Sequence, residues 1–250
     1  MKWLFALLAL ITLTGARDAI LIPEISQHEI QVRQGFTGAD LLLFGAILNP
    51  DGLRAGRDYD IVVVLKGPTQ SIVLREKQKV AGIWINADSA EFRSAPAFYA
   101  IASTRPVREI VDEKTAAIYE LGLPWLQLSP IGAIEPEEQT RFAAGLVELM
   151  SRHGLYDQGE RGVQVSGQVL YQARIALPSS VQTGTYTAET FAISRGRVVA
   201  SATSRVEVRK LGFEGAVVRF AEESSFLYGV LAVAVSVLMG WIAGRLFALI

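Results

Sequence analysis

Apolar residues follow three patterns along this chain, and each predicts a different kind of element. At the two ends they are continuous. A run from Trp3 to Leu13 follows Met1 and Lys2 and gives way to Thr14, Gly15, Ala16, Arg17 and Asp18. A positive start, a short hydrophobic core and small residues at a cleavage point predict a secretory signal peptide over 1–16, cut after Ala16. As a helix, the eleven residues of the run would cover about 16 Å of a roughly 30 Å hydrocarbon core, too little for an anchor. The uncharged run Ser224–Gly244 is longer: its 21 residues amount to roughly 31 Å of helix. Tyr228 and Trp241 stand near its ends, Glu222 and Glu223 before it and Arg245 after it. This predicts a transmembrane helix over 224–244, a linker over 211–223 and a cytoplasmic tail over 245–250, with the N-terminal side outside.

Between the ends the apolar residues come in short segments. Glu29–Arg33, Leu41–Leu48, Asp60–Leu65, Ser71–Leu74, Val80–Ile85 and Phe98–Ala102 read as strands, separated by turn chemistry at Asn49-Pro50-Asp51-Gly52 and Lys66-Gly67-Pro68. From Val163 to Ile175 the odd positions are apolar or small and the even ones mostly polar, which predicts one half-buried strand. Val198, Ala200, Ala202, Val206 and Val208 repeat the pattern after a turn at Ser194-Arg195-Gly196.

The middle changes period. Val107, Ile110, Val111, Ile118 and Leu121 have helical spacing, which predicts one helix from Pro106 to Leu121 stopped at Gly122. A second begins at Pro136, carries Glu135, Glu137 and Glu138 about its first turn, buries Phe142, Leu146, Leu149 and Met150, and closes at Arg152-His153-Gly154. The predicted fold is therefore mainly β: an antiparallel Ig-like sandwich over 17–210 with a two-helix insertion over about 106–154, plus the C-terminal membrane helix. Gly184-Thr185-Tyr186 resembles the tyrosine corner of such sandwiches. Two arrangements stay open, one sandwich with a helical insertion or two small sheets bridged by helices.

Composition now adds limits. Half of the residues are hydrophobic and the mean hydropathy is +0.31, an excess that the two terminal runs largely explain. Lys and Arg number 24 against 25 Asp and Glu, so no field gathers phosphate backbones and a nucleic acid partner is excluded. With no cysteine, disulfides, thiolate metal sites and cysteine nucleophiles are excluded too.

Candidate chemistry is sparse. His28 and His153 are far apart, and His153 suits a helix C-terminus. No HExxH, GxSxG, SxxK or glycine-rich phosphate loop is present. Asp58 and Asp60 form an acidic couple, better explained by a turn opening a strand than by a cation or acid–base pair. Trp84 and Trp125 could serve recognition, although core filling is the commoner role in a β-rich domain. Arg93, Arg105 and Arg108 bracket Phe98 and Tyr99 as a candidate anion patch. In the membrane helix, Ala232, Ser236, Gly240 and Gly244 recur every four residues and form a candidate helix-association face. No catalytic residue, metal ligand or cofactor is assigned.

The run Phe36-Thr37-Gly38-Ala39-Asp40-Leu41-Leu42-Leu43-Phe44-Gly45-Ala46, with Asp60–Pro68 and Gly82–Asn86 after it, resembles a family of transmembrane proteins from alphaproteobacteria. The resemblance implies a signal peptide, a β-rich periplasmic part and one C-terminal span in the inner membrane. It also implies a genomic neighbourhood with sulfite-exporter-like permeases, and hence a permease as the membrane partner. It supplies no catalytic residues. The leading expectation is a non-enzymatic accessory protein held in the inner membrane, in contact with lipid and a membrane-protein partner. The alternatives are a periplasmic module that binds a small anion or glycan, which needs a concave site with converging Arg, Trp or Tyr side chains, and an enzyme of unrecognised type.

Overall fold

The computed structural model describes residues 19–48, 59–132, 135–167, 169–210, 217 and 220–247. The predicted signal peptide, the turn at 49–52 and Asp58 lie outside the described residues. In chain order the strands are β1 (Ile20–Ile25), β2 (Glu29–Val32), β3 (Gly38–Leu48), β4 (Asp60–Lys66), β5 (Thr69–Val80) and β6 (Ile83–Pro96). Then follow β7 (Tyr99–Ser103), β8 (Tyr156–Gly159), β9 (Val163–Ser166), β10 (Leu170–Pro178), β11 (Gly184–Ser194) and β12 (Arg197–Lys210). The described helices are α1 (Val107–Ile110), α2 (Glu113–Tyr119), α3 (Pro136–Arg152) and α4 (Ser225–Phe247).

The strands form a four-stranded sheet in the order β1-β3-β10-β9, a six-stranded sheet in the order β2-β12-β11-β4-β7-β8, and the separate hairpin β5-β6. Pairing is antiparallel except at the two edges of the larger sheet, where β2 runs parallel to β12 and β8 to β7.

Strand β4 explains how these layers stack. Its sequence, Ile61-Val62-Val63-Val64-Leu65, is apolar without alternation, and all five residues are fully buried. Ile61, Val63 and Leu65 face the four-stranded sheet and pack in a core with Leu41, Leu43, Tyr171 and Ile175. Val62 and Val64 face the other way, into a second core with Phe92, Phe142, Leu146 and Phe191. A strand covered on both faces needs apolar residues at every position. Strand β3, covered on one face, buries Leu41, Leu43 and Ile47 and exposes Asp40, Phe44 and Leu48. The protein is thus mainly β, with two sheets enclosing one core and helices α1–α3 and the β5-β6 hairpin covering the far side of the larger sheet.

Tyr186, which opens β11, donates its hydroxyl to the Gln182 carbonyl at 2.9 Å, the upstream tie of a tyrosine corner. Helix α3 begins at Pro136, buries Phe142, Leu146 and Met150, and ends with His153 as its C-cap.

Four predicted elements are corrected. The alternating stretch from Val163 to Ile175 is two strands, β9 and β10, folded back at Gly167 (φ 60°). The alternation survives because Val165 pairs with Tyr171 and Val163 with Ala173, and cross-strand partners share a face. Likewise Val80–Ile85 is no strand but the end of the β5-β6 hairpin. It turns at Ala81 (φ 51°) and Gly82 (φ 86°), the paired positive φ angles of a two-residue hairpin loop.

The predicted helix from Pro106 to Leu121 is broken at Val111, which is extended; Asp112 restarts it by accepting the Thr115 N–H at 3.1 Å, as an N-cap does. Strand β12 carries a bulge. Ala192 pairs with Ala200 but Ile193 with Val198, so Val199 is the extra residue and Val198 packs into the core under the helices rather than with Ala200 and Ala202.

Candidate functional surfaces

Helix α4 is the first surface. Ser225–Arg245 spans 21 residues at a mean hydropathy of 2.2 and none of it is buried against the rest of the protein. Phe226 is 81% and Trp241 is 62% exposed, and the Arg245 guanidinium lies 5.8 Å from the Trp241 ring centroid, an aromatic and a cation at one end as interfacial residues are arranged. The four residues of the candidate association face, Ala232, Ser236, Gly240 and Gly244, all lie on α4. Ser236 donates its hydroxyl to the Ala232 carbonyl at 2.8 Å, so its polarity is satisfied within the helix. Nothing lies within 4 Å of where a Cβ would stand at Gly240 or Gly244, which leaves room for another backbone to approach.

The second surface is the β5-β6 hairpin. Its lower half is anchored: Ala90 and Phe92 are buried, and Ile72 and Leu74 pack against the same core. Above Leu74, Arg141 of α3 reaches across with Nη2 3.2 Å from Glu76 and 3.7 Å from Asp88. The register then shifts, Glu76 opposite Asp88 but Lys77 opposite Asn86, so Ala87 is a bulge at the level of the clamp. Beyond it every residue of both strands is exposed, including Val80 (51%), Ile83 (68%), Trp84 (65%) and Ile85 (45%). Trp84, expected as core filling, is instead on the outside. The local cause is Ala81-Gly82, a turn that holds Trp84 in an end with no layer over it. That dipeptide between apolar residues was the signal in the sequence, hidden by the apolar run around it.

The remaining candidates are dispersed. Asp60 accepts both Nε and Nη2 of Arg105, at 2.9 and 2.6 Å, and the Thr104 hydroxyl at 3.0 Å. The Arg105 bonds, with Thr104, hold the Asp60 carboxyl below its usual range. Phe98 and Tyr99 are buried, so they are not part of an arginine-lined surface. Burial pushes the Tyr99 hydroxyl far above its normal range; it donates to the Glu120 carbonyl at 2.7 Å and accepts the Gly122 N–H at 2.9 Å. His28 lies 3.1 Å from Glu24. Among the described residues no group of His, Cys, Asp and Glu could hold a metal ion.

Trp125, half-buried, lines a cavity of about 470 Å³ with Arg108, Asp112, Glu113 and Glu160, where three carboxylates to one guanidinium disfavour an anion. A larger groove of about 880 Å³ runs between the segment 123–129 and α3. Leu126, Leu128, Ala143 and Val147 line it, with the amides of Gln127 and Gln139 at its rim.

One family, described as "Putative transmembrane protein (Alph_Pro_TM)", matches residues 20–248, the strands and the terminal helix together. No curated protein matches.

Proposed function

The chain belongs to the Alph_Pro_TM family of transmembrane proteins, and from that premise we propose that it is a single-pass accessory protein of the inner membrane. Its β-rich part lies in the periplasm, its C-terminus in the cytoplasm, and it works by association rather than catalysis. The observation that carries this reading is helix α4: 21 apolar residues of which none is covered by the domain, with small residues every fourth position. A helix this bare is solvated by lipid and by other helices. The partner is a multi-span membrane protein, and a sulfite-exporter-like permease is the class the family resemblance favours.

The shifted carboxyls of Asp60, Asp112 and Glu207 all move downward, through hydrogen bonds from Arg105, Thr115 and Thr185 respectively. A general acid at neutral pH needs the opposite shift. The Tyr186 tie favours an Ig-like relationship for the sandwich.

The test is purification in mild detergent at native expression followed by mass spectrometry, with Gly240→Leu and Gly244→Leu beside the parent. A stoichiometric membrane protein lost from both variants supports the proposal. Recovery of the parent chain alone overturns it.

A further inference from the structure

The far end of the β5-β6 hairpin has the chemistry of a membrane-inserting tip, and we propose that it inserts into the interface of an anionic lipid bilayer. Four residues of each strand beyond the Arg141 clamp extend roughly 13 Å at the usual strand rise. The register puts Val80 opposite Ile83 and Gln78 opposite Ile85 on one face, and Lys79 opposite Trp84 and Lys77 opposite Asn86 on the other. One face thus carries three aliphatic side chains beside Gln78, and the other pairs an indole with two cations.

No carboxylate occurs from Lys77 to Asn86, although the protein as a whole carries slightly more acid than base. Indole rings settle at the boundary between headgroups and acyl chains, and lysines beside them are drawn to anionic headgroups. A protein partner fits less well, because two strands of four residues are too small to supply the roughly 800 Å² per side of a standard interface.

A bilayer is also close at hand. Strand β12 ends at Lys210 and α4 begins at Ser225, so residues 211–224 limit the separation to about 50 Å even when fully extended. The base of the hairpin, Thr69 opposite Pro96, lies at the end of the sheet at which β12 also ends. Lys66, the last residue of β4 before the hairpin, pairs with Thr187, and Gly184 pairs with Val208. The 12 residues of β5 carry the tip about 40 Å from that end, within the reach of the connection. Tethering converts insertion into an intramolecular event with a high effective concentration, so a small apolar tip suffices. The inference needs only the membrane helix and no protein partner, so it stands or falls separately from the accessory role.

The full chain has no cysteine, so Ile83→Cys accepts a single environment-sensitive fluorophore. Val73→Cys, exposed on the same hairpin below the clamp, is the control. Both are reconstituted in vesicles of phosphatidylglycerol and phosphatidylcholine, with spin-labelled acyl chains as the lipid quencher and iodide as the aqueous one. The expected result is a blue-shifted label at position 83 that the lipid quenches and iodide does not, beside the reverse at position 73. Lys77→Glu with Lys79→Glu should cut the inserted fraction about tenfold or more, since each cation near an anionic surface contributes about fivefold. A label at 83 open to iodide overturns the proposal. So does one shielded from iodide yet untouched by the lipid quencher, which would place a second copy or another protein over the tip.

Discussion

Arg141 holds Glu76 across a 3.2 Å ion pair, and the pair marks the level at which the β5-β6 hairpin leaves the protein. Below it the strands are packed; above it they are bare. Because the Arg141 side chain is 51% exposed, Arg141→Ala should lower global stability by less than about 1 kcal/mol. Its local effect is larger, since Glu76, Asp88 and Glu138 all lie within 4 Å of its guanidinium and lose a shared cation. Hydrogen exchange should quicken across the upper hairpin while β4 and β11 keep their protection. Unchanged exchange there would show that the clamp is idle.

Tyr99→Phe should cost about 1–3 kcal/mol. The phenol oxygen serves a donor and an acceptor at once, the Gly122 N–H and the Glu120 carbonyl, and its loss leaves these two groups only the 3.1 Å bond they make with each other. Tyr186→Phe removes one bond, to Gln182, and should cost about 1 kcal/mol. Paired denaturant titrations check the order; equal midpoints for the two variants would contradict it.

Gly45 sits in the middle of β3 with Pro23 on one side and Tyr171 on the other. A Cβ there would stand 2.3 Å from the Ile22 carbonyl oxygen and 2.6 Å from the Tyr171 hydroxyl. Backbone cannot yield as a side-chain tip can, so Gly45→Ala should destabilise by about 1–3 kcal/mol. Thermal unfolding measures this, with Gly35→Ala as a comparison: there the positive φ of 84° is strained but nothing lies within 4 Å.

The Asp60–Arg105 pair predicts a pH dependence of known sign. The folded carboxyl lies below its ordinary value of 3.8, so the folded state binds its proton less tightly than the unfolded chain. The pair's contribution is therefore complete above pH 4 and is lost as pH falls through the folded value. Asp60→Asn should cost about 0.5–1 kcal/mol at pH 7, limited by screening at the half-exposed Arg105. The gap from the parent should narrow in acid. A gap that is the same at pH 7 and pH 3 would refute the assignment.

Sequence period alone located most of the strands, helix α3 and the membrane helix, because each carries a strong local pattern, but it missed β1, β8 and all but the first residues of β6. It failed where one pattern has two structural solutions. An alternation that passes through a turn with its phase intact reads as a single strand, as between β9 and β10. A helical spacing of apolar residues cannot show that Val111 is extended, since a buried residue between two short helices serves the core just as well. The bulge at Val199 was illegible because it depends on the partner strand. Trp84 was misread for a related reason: burial is decided by whether a layer lies above, and the sequence of a hairpin does not say where its packing stops.

The parallel pair β2–β12 joins the second strand of the domain to the last, with Glu29 opposite Glu207. Synthesis runs from the N-terminus, so β2 has no neighbour in the larger sheet until nearly the whole domain has emerged, a long-range contact of the slow-forming kind. Residues 211–224 are all that separate that closing strand from α4. Completion of the domain and arrival of the membrane helix are therefore almost simultaneous. A chain cut short before Arg197 thus lacks both the strand that pairs with β2 and the membrane helix.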